Sequence, residues 1–170
     1  MNRADLEREI EQLHPASFVW ALGCCRRNRD DAEEVLQVVY LKVLEGKARF
    51  DGRSSLKTWL FSVIRNTAIT HMRRLWMQPM GILAWFADVR GESAVESADA
   101  SMERSQRNAR LNAAVGRLSR RQREVLQLVF YHDMTVEEAA MAMGVSVGSA
   151  RVHYHRGKRQ LLSMLNGDLR

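Results

Sequence analysis

The chain has 170 residues, 46% hydrophobic and 27% charged, which gives room for one compact domain or two small ones and is too apolar for a disordered chain. Its formal charge of +6 and pI near 9.9 favour an anionic partner, nucleic acid ahead of a membrane surface, although on charge alone plain solubility explains the excess equally well. The longest unbroken apolar run, Ile82–Ala87, is six residues against the roughly 18 of a membrane span, and Asp5, Glu7, Glu9 and Glu11 stand where a signal peptide would need an apolar core.

Two prolines and ten glycines favour long helices over a turn-rich β-fold. The only cysteines, Cys24 and Cys25, are adjacent and make neither a zinc nor a disulfide framework. They read as small buried apolar residues, with a redox role as the alternative. The expectation is an all-α, cytoplasmic protein. Its basic charge is concentrated at the C-terminal end, where residues 108–170 carry 10 Lys+Arg against 5 Asp+Glu.

Leu6, Ile10 and Leu13 are spaced for one helical face, and a second apolar stretch runs from Phe18 to Leu22. Asp30 and Asp31 can cap the next helix, expected over 32–44, with Glu33 and Glu34 in its first turn. Val35, Leu36, Val38, Val39, Tyr40, Leu41, Val43 and Leu44 belt that helix, and only Gln37 and Lys42 interrupt them. A helix apolar all round is buried on more than one side. A partner protein could cover the second side, or the helix could lie at the centre of its own bundle.

Phe50-Asp51-Gly52-Arg53-Ser54-Ser55 has turn chemistry, and Ser54 or Ser55 can cap the helix that follows. Leu56, Trp59, Leu60, Val63, Ile64 and Thr67 form its expected apolar face. Ser62, Arg65, Asn66, Ile69 and Arg73 fall on another, polar and basic one, although Arg73 and Arg74 also suit the helix dipole. From Pro79 the composition changes. Met80–Val89 is apolar and reads as a short docking element, and residues 92–107 are rich in Ser, Ala and Glu. The expected organisation is a domain over 1–78, a linker over 79–107 and a domain over 108–170.

The last third carries the clearest punctuation. Ser119 to Gln122 is a capping-box pattern, followed by Val125, Leu126, Val129 and Phe130. A second box, Thr135 to Glu138, opens a short helix with Ala139, Ala140 and Ala142. Gly144 suits a left-handed turn, and Ser146 caps a longer helix toward Leu165. This is a helix-turn-helix pattern. Ala150, Tyr154, Gly157 and Leu161 should pack inward. Gly148, Arg151, Val152, His155 and Arg159 lie broadly opposite, flanked by Arg156 and Lys158. An apolar back with long donors in front suits a helix that reads DNA, and the plainer alternative is a solvated basic face.

The five histidines, His14, His71, His132, His153 and His155, have no metal-ligand spacing, and the motifs of nucleophilic or phosphate-binding sites are missing. No catalytic site, metal or cofactor is expected.

Asp31–Tyr40 (DAEEVLQVVY) and Phe50–Ala68 (FDGRSSLKTWLFSVIRNTA) resemble conserved region 2 of bacterial sigma factors. Leu118–Leu126 (LSRRQREVL), Thr135–Ala140 (TVEEAA) and Val147–Lys158 (VGSARVHYHRGK) resemble region 4. Two helical blocks in this order match the extracytoplasmic-function group. The resemblance implies that the belted helix docks on core RNA polymerase, with Asp31, Glu34, Gln37 and Leu41 outward. It implies that Asp51, Gly52, Arg53, Ser54 and Ser55, with Arg65, Asn66 and Arg73, serve the melted −10 element, where a base leaves the stack. It implies that Gly148, Ser149, Arg151, Val152, His155, Arg156, Lys158 and Arg159 face the duplex −35 element. An anti-sigma factor is a further candidate partner. Thr70 stands where many members carry an acidic residue, and Val152 where serine is frequent. The competing reading is a conventional helix-turn-helix regulator that binds duplex DNA as a dimer. It accounts for the last third and leaves the belted helix and the Asp51–Ser55 loop without a task. A nucleic-acid enzyme would need metal-spaced carboxylates or histidines that the pattern lacks.

Overall fold

The computed structural model describes residues 3–77 and 102–167; Met80–Val89 and most of the expected linker lie outside the described residues. All described elements are α-helices: α1 (Arg3–Gln12), α2 (His14–Cys24), α3 (Arg29–Leu44), α4 (Leu56–Met77), α5 (Met102–Gly116), α6 (Arg120–Phe130), α7 (Val136–Met143) and α8 (Val147–Gly167). They pack as two units, one built on α1–α4 and one on α5, α6, α8 and the first turns of α7.

In the first unit α2, α3 and α4 pack pairwise, and α1 leans on α2. Pro15 in the first turn of α2 has no N–H to continue a helix from α1, so the chain restarts there. Trp20, Val35, Val39, Leu60, Phe61 and Ile64 are fully buried. The Trp20 indole N–H donates to the Phe61 carbonyl at 3.0 Å, so the largest core side chain is hydrogen-bonded as well as packed. The turn from α2 to α3 holds Arg26 and Arg27 at φ +53° and +66°, a left-handed pair without glycine.

Several expected faces shift. The cap of α3 is Asn28, whose side chain accepts from the Asp31 N–H at 3.1 Å, so the helix starts at Arg29. Ser55 caps α4, its Oγ accepting from the Thr58 N–H at 3.1 Å. The buried face of α4 takes in Thr58, Phe61 and Ala68, while Trp59 and Val63 are only half-buried. α4 is clasped by both α2 and α3, so its core sector is wider than one row of apolar residues.

The helix α5 starts at Met102, inside the stretch read as linker. Residues 102–115 hold no Gly or Pro, and Ala114 and the following Leu118 are buried. Both capping boxes form. Ser119 Oγ accepts from the Gln122 N–H at 3.4 Å while Gln122 accepts from the Ser119 N–H at 2.9 Å. Thr135 Oγ1 accepts from the Glu138 N–H at 3.1 Å while Glu138 accepts from the Thr135 N–H at 2.8 Å. Gly144 adopts φ +62° between α7 and α8, the left-handed turn that a side chain would strain. On α6, Val125, Leu126 and Leu128 are buried, but Phe130 is 60% exposed and stacks on Tyr154 of α8 with ring centroids 6.0 Å apart.

Candidate nucleic-acid interface

The helix α3 has two faces. Ala32, Val35, Leu36, Val39 and Val43 are buried against its neighbours. Glu34 and Gln37 are exposed with Val38, Leu41 and Leu44, and Leu41 shows 56% of its surface. Positions 34, 37, 38, 41 and 44 recur at three- and four-residue steps, so they form one continuous stripe. The unit's own core therefore leaves part of the belt bare. Val38 and Leu44 join the residues expected from sequence. Asp31 does not stand fully outward, because its carboxylate is drawn against His71 of α4, with Nε2 2.9 Å from Oδ1. The other ring nitrogen of His71 lies 3.6 Å from a Glu34 oxygen. His71 was invisible in sequence because the contact spans 40 residues.

The Asp51–Ser55 loop is exposed apart from half-buried Ser54. Asp51 organises it: Oδ1 accepts from the Arg53 N–H at 3.2 Å, and Oδ2 pairs with the Arg53 Nε at 3.1 Å. Gly52 sits at φ +76°. Asn66 and Arg73 are exposed on α4 and share a face with exposed Thr70. Asn66 stands eleven residues beyond Ser55, a rise of about 16 Å along the helix. Arg65 is a correction. It is only 7% exposed and falls within about 60° of Thr58, Phe61 and Ala68 around the helix, in the widened core sector, so it does not face solvent as expected.

Along α8 the expected division holds. Ala150 and Gly157 are buried, Tyr154 and Leu161 half-buried, and Gly148, Arg151, Val152, His155, Arg156, Lys158 and Arg159 exposed. A Cβ on Gly157 would come within 3.1 Å of the Gln122 Cβ and 3.2 Å of a Leu126 methyl, so α8 crosses α6 closely there. Ser149 is half-buried and engaged in the cap, its N–H and Oγ both bonded to Ser146 Oγ at 3.1 and 3.0 Å. Lys158 lies 6.0 Å from the Tyr154 ring centroid. The Arg151 Nη2 donates to Glu137 Oε1 of α7 at 2.7 Å. That bond holds the Glu137 carboxyl below the usual carboxylate range, aided by a backbone hydrogen bond. The result is an exposed row of basic side chains and a histidine, with one valine among them, on a helix whose back is fixed by packing.

Burial pushes the Cys25 thiol up to about 12, and the Asp31 charge adds to this. Such a thiol is a packing group. Among the described residues no cluster of three or more His, Cys, Asp or Glu could hold a metal ion, and no helix is long and apolar enough to cross a membrane.

Against known proteins, residues 10–77 match the family described as sigma-70 region 2, and residues 108–161 match sigma-70, region 4. The ECF RNA polymerase sigma factor SigX of Bacillus subtilis is 31% identical over 139 residues, covering 79% of this chain and 71% of that protein. The ECF RNA polymerase sigma factor RpoE of Cereibacter sphaeroides is 34% identical over 121 residues, 71% of this chain and 64% of that protein. Among solved structures, the sigma factor RpoE of Bartonella quintana, crystallised with the anti-sigma factor NepR, superposes with a TM-score of 0.71 at 25% identity, covering 95% of this chain and 97% of that one.

Proposed function

The chain belongs to the extracytoplasmic-function group of RNA polymerase sigma factors, and on that premise we propose how its parts divide the work of promoter-specific initiation. The α3 stripe docks on core polymerase through Glu34, Gln37 and Leu41, extended by Val38 and Leu44, with His71 steadying Asp31 behind it. Residues 1–78 act as one domain that holds the melted −10 strand, using Asp51, Gly52, Arg53, Ser54 and Ser55 with Asn66 and Arg73. Residues 108–170 act as a second that reads the duplex −35 element, through Arg151, Val152 and His155 at base edges and Arg156, Lys158 and Arg159 at phosphates. Gly148 lets the backbone approach closely, and Ser149 serves by capping α8. The protein has no catalysis of its own, works in the cytoplasm and needs no cofactor. An anti-sigma factor, such as the one seen with the Bartonella relative, would act by covering the same surfaces.

The observation that carries this reading is the pairing of an exposed apolar stripe on one unit with an exposed cationic reading helix on the other. A dimeric helix-turn-helix regulator would use only the second. The test is transcription by core polymerase reconstituted with the chain on a random promoter library. Transcripts should start downstream of a shared two-part element. A chain that fails to co-purify with core polymerase, yet binds duplex DNA as a dimer, would establish the regulator instead.

A further inference from the structure

We infer that Glu137 is a specificity-determining residue: its carboxylate holds the Arg151 guanidinium ready for a base edge and denies it to the phosphate backbone. The inference rests on the reading of α8 as the −35 helix. Glu137 and Arg151 belong to different helices, fourteen residues apart, so their contact is a product of the helix-turn-helix turn. The two side chains are 52% and 61% exposed, and an ion pair so wet adds little to stability. Nor is Glu137 needed to start α7, because its neighbour Glu138 closes the capping box with Thr135. What the pair does fix is a direction. A guanidinium has five N–H donors in a rigid fork; one is spent on Glu137 at 2.7 Å, leaving another edge for a bidentate contact with a guanine.

The charge balance points the same way. Arg156, Lys158 and Arg159 are exposed on α8, where among the described residues no carboxylate is hydrogen-bonded to them, and each can neutralise a phosphate at any sequence. Arg151 carries its own anion, since a glutamate carboxyl is ionised throughout the neutral range and Glu137 lies 2.7 Å from the guanidinium. A neutralised arginine gains little from a phosphate, and the carboxylate repels one. Its remaining value lies in base contacts, which discriminate.

The experiment compares the full chain with its Glu137→Gln, Arg151→Ala and doubly substituted forms, each assembled with core polymerase. Binding is measured across salt on promoters that differ only in the −35 element. In the Glu137→Gln form, discrimination among −35 sequences should fall several-fold and affinity for poor sequences should rise. The slope of log affinity against log salt should steepen by about one, because Arg151 is freed for a phosphate. In the Arg151→Ala background the second substitution should change none of these. If Arg151→Ala flattens discrimination but Glu137→Gln leaves discrimination and slope intact, the inference falls and the −35 reading stands. If Arg151→Ala leaves discrimination unchanged, the −35 reading of Arg151 itself falls. If Glu137→Gln still loses discrimination without Arg151, the carboxylate reads a base directly, as to a cytosine amino group, and the positioning role is overturned. A thermal melt of each form separates these outcomes from a folding defect.

Discussion

Leu41 places an isobutyl group in water, 56% exposed, on a helix whose opposite face is packed solid. Leu41→Glu should therefore change folding stability by no more than about 0.5 kcal/mol, as for other surface positions. The same change at the centre of a protein interface should cost about 2 kcal/mol or more of polymerase affinity. Competition binding against the unsubstituted chain, beside a urea melt, measures both. Cys25 supports a second prediction. Its thiol is raised to about 12, mainly by burial and then by the Asp31 charge, so thiol reagents near pH 8 should label half-buried Cys24 and spare Cys25. The contribution of the neutral buried thiol is complete below about pH 8, before the unfolded thiol, with its ordinary pKa of 9.0, begins to ionise. It is lost as pH rises from there toward 12. Tyr40, raised by burial, adds in the same direction. The urea midpoint should fall between pH 8 and pH 10, and fall less in Cys25→Ala. Arg65 marks where the residue scale was unreadable in advance. Its charge argued for solvent, and only the clasp of α2 and α3 around α4 turned its position inward.

At the scale of elements, the close crossing of α6 and α8 depends on the missing side chain of Gly157. Gly157→Leu should force the helices apart and cost about 1–3 kcal/mol, read as a lower melting temperature of the C-terminal unit with loss of −35 binding. Local signals were legible here. The capping boxes at Ser119 and Thr135, the left-handed Gly144 and the inward row of Ala150 and Gly157 each involve residues a few positions apart, and each formed. Signals that depend on which neighbour covers a face were not. Phe130, one of the apolar residues that follow the Ser119 box, lies 60% exposed, and Trp59 and Val63 are half-covered while Phe61 and Ala68 fill the core. The helix α5 escapes a reading from sequence because its first turns are composed like the polar stretch before them, with no row of large apolar residues to mark a face. Exposure along α8 was legible, since seven of its eight candidate positions are exposed and Ser149 alone is tied into a cap.

At the scale of the whole molecule, docking and melting should be separable. Asn66 is exposed on α4, away from the α3 stripe in sequence and role. Asn66→Ala should leave polymerase affinity near normal and slow open-complex formation, followed by permanganate reactivity of the −10 region. A promoter already mismatched across that element should recover much of the rate, because the cost of unpairing and unstacking, a few kcal/mol, has been removed. No recovery on the mismatched promoter would reduce Asn66 to an ordinary helix residue. On the docking role proposed for it, the bare stripe of Val38, Leu41 and Leu44 would also set the shape of the cell's response. One strip of surface admits one occupant at a time, so an antagonist that covers it acts by stoichiometry. While the antagonist is in molar excess and binds tightly, nearly every new copy of the chain is captured. Past equivalence, nearly every further copy is free, and a modest change in the ratio of two protein abundances becomes a sharp threshold in gene expression.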